Sequence, residues 1–313
     1  MPLGEATLRL LMAPIAPFLA QPGTTELVIN RPGEVGVECG GEWTWHALPE
    51  LDFEHLDALG TLAGVQTHQD FGPARPSCST VLPQGYRLQI ARPPITKVGE
   101  ISLTIRKRAS SFVPTLEFFA ATGYFDALDP GVDWVAWFTE RVVARKTFLI
   151  GGNTGSSKTT LAEALIRAIP PHERILTIEK TAEFAELPHQ GWLAQYYGYT
   201  GDGAGSEKAA VHLLETALRQ RPDRILFGEL RSAGEAWAYL RGLKAGHPGG
   251  ITTIHAGSAE GTVTALATMM RGDLAGATMS DDHLRAEVRG NVDVLVHCAS
   301  KPYRVTQVVQ LER

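Results

Sequence analysis

A chain of 313 residues with 44% apolar and 20% charged side chains can bury a proper core, and it is long enough for two domains of ordinary size. These values exclude a largely disordered or low-complexity protein, and a formal net charge of −5 leaves no global basic field to draw in nucleic acid. Three scattered cysteines, Cys39, Cys78 and Cys298, show no C-x-x-C spacing, which argues for a reducing compartment and against a metal site.

Residues 5–20 begin with helical spacing of Leu8, Leu10, Leu11 and Met12, which Pro14 and Pro17 then interrupt. The apolar part, 8–20, also contains Arg9. It is too short and too broken to span a bilayer, and the first residues lack the basic flank of a secretory signal. The expectation is a cytoplasmic protein. After the turn at Gln21-Pro22-Gly23, residues 26–30, 34–39 and 42–48 alternate as successive antiparallel strands. A helix is predicted over 52–65, and a second strand group over 79–83, 86–91 and 100–106. Arg87 and Arg106 fall on or at the ends of these strands, as charges held by a sheet or as solvated edge groups. The short run Arg106-Lys107-Arg108 reads equally as a solvated strand end or a phosphate contact. Nothing in residues 1–125 supplies a nucleophile or paired catalytic carboxylates, so this α+β domain reads as a recognition or docking module.

Residues 126–133, with Asp129-Pro130-Gly131 at their middle, are the expected linker. Residues 134–145 then form an amphipathic helix that opens a second domain, 134–313. Strands at 147–150, 174–178, 224–227, 250–254 and 292–297 alternate with helices at 159–169, 206–220, 232–245 and 259–270. That order implies a parallel sheet with covering helices. Residues 303–311 add a final strand as a hairpin across Ser300-Lys301-Pro302.

The chemistry is concentrated here. Gly152, Asn153, Thr154, Gly155, Ser156, Ser157, Lys158, Thr159 and Thr160 join a buried strand to a helix N-terminus, where successive backbone amides point at one anion. This is a nucleoside triphosphate site: Lys158 reaches the β- and γ-phosphates, and the Thr159 hydroxyl ligands a bridging magnesium ion. Ser157 stands where the motif has its second glycine. If that position needs positive φ, serine costs on the order of 1 kcal/mol.

Three further stretches carry polar chemistry. The apolar strand 225–227 ends in Gly228-Glu229, at the carboxyl edge where open α/β sheets place ligands, so Glu229 is suited to hold the attacking water or the magnesium shell. Glu179 and Glu183 follow the preceding strand and offer carboxylates for the same work, or match a helix dipole. His247, Thr253 and His255 bracket a glycine-rich turn and a short strand, to sense the γ-phosphate or simply to shape the turn. No third ligand is spaced for zinc. Arg219, Arg221 and Arg224 cluster before the Glu229 strand, where they could complete a phosphate site or ion-pair across a subunit boundary.

With these boxes in order, the sequence resembles the secretion-superfamily ATPases, the hexameric traffic ATPases of type II and type IV secretion, and most closely the type IV secretion and conjugation branch. The matching stretches are 151–160, 178–183, 219–231 and 246–258, with 82–87 and 101–106 similar to the family's N-terminal sheet. The resemblance implies a RecA-like P-loop domain joined to a smaller α+β domain, in a homo-hexameric ring with ATP and Mg2+ at the interdomain cleft. By carry-over, Arg87 and Arg106 reach the nucleotide, Arg219 and Arg221 act near the phosphates, Glu229 and Glu179 serve magnesium and water, and His255 couples phosphate state to movement. Two departures, Ser157 and Lys180 in place of an acidic-box aspartate, point to slow hydrolysis rather than lost binding.

The implied activity is ATP hydrolysis that powers substrate translocation or pilus biogenesis. The expected partners are further copies, other ATPases and inner-membrane components, with peripheral contact at the inner face of the bacterial inner membrane. The rival readings are a slow or inactive nucleotide switch that serves as an assembly platform, and a motor acting on nucleic acid. The acidic balance disfavours the second of these.

Overall fold

The computed structural model describes residues 3–107, 113–184, 187–197 and 206–312. Arg108, at the end of the basic run, lies outside them. Described residues up to 107 form one unit and those from 113 onward form another.

In the first unit, the two prolines split the opening segment into α1 (Leu3–Leu11) and α2 (Ala16–Ala20), with Pro17 in the first turn of α2, where its missing N–H costs nothing. The alternating stretches become β1 (Thr24–Ile29), β2 (Glu34–Cys39) and β3 (Glu42–Ala47). Helix α3 (Phe53–Gln66) is capped by Asp52, whose side chain accepts from the His55 amide, and is followed by β4 (Ser77–Val81), β5 (Arg87–Ala91) and β6 (Ser102–Arg106). The six strands form one antiparallel sheet in the order β3-β2-β1-β6-β5-β4. Leu27, Ile29, Leu88, Ile90, Leu103 and Ile105 cluster with Leu8, Leu56 and Leu59 of α1 and α3 in a single core. Arg87 and Arg106 are paired opposite each other on β5 and β6, and Arg106 also meets Glu26 of β1 at 3.4 Å.

The second unit begins before the expected linker. Helix α4 (Leu116–Ala121) and the following Tyr124 and Phe125 share a core with Phe138 of α5 (Trp134–Val143) and Phe148 of β7 (Phe148–Gly152). Burial of these aromatic rings places the turn at 126–133 inside this unit. After β7 come α6 (Lys158–Arg167), β8 (Ile175–Glu179), β9 (Leu193–Tyr196), α7 (Ser206–Leu218), β10 (Arg224–Phe227), α8 (Ala233–Lys244), β11 (Ile251–Ile254) and α9 (Ala259–Arg271). The chain ends with α10 (Leu274–Ala277), α11 (Asp281–Asn291), β12 (Val294–Ser300) and β13 (Tyr303–Gln310). Helices α4, α10 and α11 and strand β9 were not expected from sequence. Strand β9 is short and without alternation, and α11 buries only Leu284 and Val288 on an otherwise polar surface.

Strands β10, β8 and β9 pair in parallel, as do β11, β7 and β12, and β13 adds antiparallel to β12 as the expected hairpin. The two groups meet through a parallel bridge between Glu229 and Thr253. Strands β7, β8, β10 and β11 are buried at every position, as expected for parallel strands covered on both faces. The second unit thus has the parallel strands and covering helices that the alternation implied, in keeping with the RecA-like domain that the resemblance implied. No helix among the described residues is long and apolar enough to cross a membrane.

Candidate functional site

Because the strands are parallel, the segments that follow β7, β8, β10 and β11 all emerge at one carboxyl edge. These are the loop 153–157, the turn 180–184, residues 228–231 and His255. The segments that precede the strands lie at the opposite edge.

The loop closes tightly. Gly152 has φ 155°, and a Cβ there would collide with the Cys298 carbonyl oxygen and Ser156 Oγ. Gly155 has φ 69°. Ser157 caps α6 in the left-handed region at φ 61°, ψ 21°, so the position does require the conformation that glycine adopts freely. Asn153, Thr154 and Gly155 form the exposed tip, Ser156 and Lys158 are buried, and Thr159 and Thr160 are half-buried in the first turn. Lys158 Nζ donates to the Asn153 carbonyl at 2.9 Å. Burial pulls the Lys158 ammonium below its ordinary pKa, and the negative charge of Glu229 opposes that shift.

Under the loop, the Tyr124 hydroxyl donates to the Ser156 carbonyl at 3.2 Å. Burial raises the Tyr124 pKa far above its usual value, so it stays a neutral donor. Ser156 Oγ is 1% exposed at the residue level and has no hydrogen-bond partner. An orphaned buried hydroxyl inside a glycine cradle at a helix N-terminus fits an incoming anion. The oxygens of Thr159, Glu183 and Glu229 are the hard donors that magnesium takes beside phosphate.

Glu229 is brought to the centre of the edge. Its Oε1 lies 2.9 Å from His255 Nε2, and its Oε2 accepts from Arg231 Nε at 2.8 Å. A Cβ on Gly228 would clash with the Glu183 carboxylate, so any side chain there would have to push that carboxylate aside.

Glu179 behaves differently from the sequence expectation. It is fully buried, with Oε1 accepting from the Thr177 hydroxyl at 2.6 Å and Oε2 accepting from the Glu183 and Phe184 amides at 2.5 and 3.0 Å. It anchors the acidic turn, and Glu183 is the carboxylate that the turn presents to residues 228–231. Lys180, half-buried, follows directly on β8.

Several other expected groups are not brought together. Arg219 and Arg221 are exposed and precede β10, at the edge opposite the loop. Arg224 is fully buried: its Nε and Nη2 donate to Glu173 at 2.7 and 3.1 Å, and Nη2 also donates to the Val142 carbonyl at 2.8 Å. It is a structural arginine. His247 precedes β11 while His255 follows it, so roughly 13 Å of strand separates them. Thr253 donates its hydroxyl to the Gly228 carbonyl at 3.0 Å and ties β11 to the end of β10.

Sequence reasoning passed over one readable signal here. Ser232 and Glu235 form a reciprocal capping box at the start of α8, and Glu235 also accepts from the Tyr197 hydroxyl at 2.7 Å. The S-x-x-E spacing marks the cap, but only the fold shows that it fixes the segment carrying Arg231.

The family model described as "Type II/IV secretion system protein" matches residues 84–286. The chain is 39% identical over 318 residues to "Protein VirB11" of Rhizobium radiobacter, covering 93% of this chain and 90% of that protein. It is 34% identical to the crystal structure of the VirB11 ATPase from the Brucella suis type IV secretion system in complex with sulphate, with a TM-score of 0.52, covering 98% and 95% of the two chains. The fold is also that of the Legionella pneumophila ATPase DotB, at a TM-score of 0.62 and 18% identity, over 94% of this chain and 75% of that one. By family match and by identity over most of its length, the chain belongs to the type II/IV secretion system protein family.

Proposed function

We propose that this protein is the ATP-hydrolysing motor of a type IV secretion or conjugation system, powering substrate translocation or pilus biogenesis. One observation carries the reading: an anion-shaped loop with Lys158 shares a sheet edge with Glu229, Glu183 and His255, in a member of this family.

The amides of residues 152–160 and Lys158 bind the phosphates of ATP. Thr159 and Glu229 are the residues that hold magnesium, which when bound neutralises charge developing on the transferred phosphoryl group. Glu229 also orients the attacking water. His255 fixes the orientation of Glu229 and links it to β11, and Glu179 fixes the turn carrying Glu183. Arg219 and Arg221, at the far edge of the sheet, act across a subunit boundary in a ring of six copies. Arg87 and Arg106 serve as nucleotide contacts, as the resemblance implies. Other ATPases and inner-membrane components are the partners, at the cytoplasmic face of the inner membrane.

Steady-state ATP hydrolysis by the purified protein, set against Lys158→Ala, tests the reading. Turnover well above that background is expected. Turnover equal to it would overturn the motor and leave a nucleotide-held assembly platform. Unchanged ATP affinity in both Arg87→Ala and Arg106→Ala would remove those two residues from the site.

A further inference from the structure

Arg231 lies at the centre of the carboxyl edge, and the roles given above leave its charge unexplained. Its Nε and Nη2 both contact Glu229 Oε2, and Nη2 also lies 3.6 Å from Glu183 Oε1. A guanidinium cannot be deprotonated here, so a permanent cation is seated on two carboxylates at the same sheet edge as the phosphate loop.

The backbone of this residue is fixed by buried partners, whereas its tip is held only by the carboxylates it pairs with. The Arg231 backbone amide donates to Glu235 Oε2 at 2.5 Å, and the Ser232 amide donates to the same oxygen at 3.0 Å. The Tyr197 hydroxyl holds Oε1 of Glu235 at 2.7 Å, and both Tyr197 and Glu235 are buried. The Arg231 side chain, by contrast, is 43% exposed. A side chain anchored at its backbone and half in solvent can swing off Glu229 without disturbing the strand.

A divalent cation that accompanies a nucleotide uses the same hard carboxylate oxygens. It cannot share Glu229 Oε2 with a guanidinium, because the two positive charges repel at contact distance in a partly buried site. We propose that Arg231 is an internal counter-ion of Glu229 and Glu183, which metal-bound nucleotide must displace, so that Arg231 sets the magnesium requirement for binding. It acts as a positioning residue: it holds the part-buried Glu229 carboxylate in place and offsets one of the two negative charges that Glu229 and the buried Glu183 bring together. The proposal rests on the reading of this edge as an ATP site.

The test is binding of a fluorescent ATP analogue to the full chain at fixed nucleotide while magnesium is titrated, for the unaltered protein, Arg231→Gln and Arg231→Lys. Removal of the competing charge in Arg231→Gln is expected to lower the half-saturating magnesium concentration by about fivefold or more, a typical coupling between linked ligands. Arg231→Lys keeps the charge but loses the planar fork, so its midpoint should fall between the two. An Arg231→Gln midpoint that is unchanged or raised, in a protein whose melting curve shows it folded, overturns the proposal. If Arg231→Gln does not fold, Arg231→Lys decides, and an unchanged or raised midpoint overturns the proposal there. Failure of the unaltered protein to bind the analogue at any magnesium concentration sinks the ATP reading itself, a different result from an unmoved midpoint.

Discussion

Glu229 Oε1 and His255 Nε2 lie 2.9 Å apart, joining the ends of β10 and β11 beside the phosphate loop. The contact holds one carboxylate oxygen in a fixed direction while Arg231 holds the other. If Glu229 orients water, Glu229→Gln should lower kcat by about 10²- to 10³-fold and change nucleotide affinity only a few-fold. His255→Ala should give a smaller loss in kcat. Paired steady-state hydrolysis and equilibrium binding separate these effects, and full turnover in Glu229→Gln would remove the residue from the chemistry.

Ser157 occupies a left-handed backbone position at the N-terminus of α6. Ser157→Gly should relieve about 1 kcal/mol of strain, which corresponds to a melting temperature higher by roughly 2–4 °C for a unit of this size. The same change should raise turnover, since the loop then closes on phosphates without distortion. An unchanged melting curve would show that the serine is accommodated without cost.

Arg219 and Arg221 lie at the sheet edge remote from the loop. If they act on a neighbouring subunit, Arg219→Ala and Arg221→Ala should leave nucleotide affinity intact at dilution. They should reduce turnover only at concentrations where copies assemble. A concentration-independent loss of affinity would instead place them at their own nucleotide.

Arg224 and Glu173 form a bidentate pair with the arginine fully buried. Glu173→Gln leaves an unpaired buried cation and should cost about 3–5 kcal/mol in a urea denaturation series. The double change Arg224→Met with Glu173→Gln should be less damaging than either single change, because no charge is then stranded. Additive losses would argue against the pairing.

Cys39 is exposed, whereas burial pushes the Cys78 thiol up to about 11 and the Cys298 thiol up to about 12. At pH 8 one thiol should react quickly with an alkylating reagent, with the other two released only on unfolding. The folded state keeps these protons to higher pH than the unfolded chain does. The contribution of these two thiols to stability is therefore level below about pH 8.5 and falls as pH rises toward the folded values. Equal reactivity of all three thiols at pH 8 would contradict the burial.

The sequence by itself determined most of the order of strands and helices, the phosphate loop, and the strand that ends in Gly228-Glu229, but not α4, β9, α10 or α11. Each is set by local chemistry: periodicity, glycine at a tight turn, and an apolar run meeting a helix cap. It also carried enough family-specific spacing to place the chain among the secretion ATPases. Tertiary structure decided which polar groups face one another. Parallel pairing sends every residue after a strand to one edge and every residue before it to the other, so His255 meets Glu229 while His247, Arg219 and Arg221 do not. Packing made the same kind of choice for Glu179 and Arg224. Both are charged residues beside an expected site, yet one is spent on backbone amides and the other on a buried carboxylate. No periodicity in a single chain records such long-range partnerships, because they depend on which strands become neighbours.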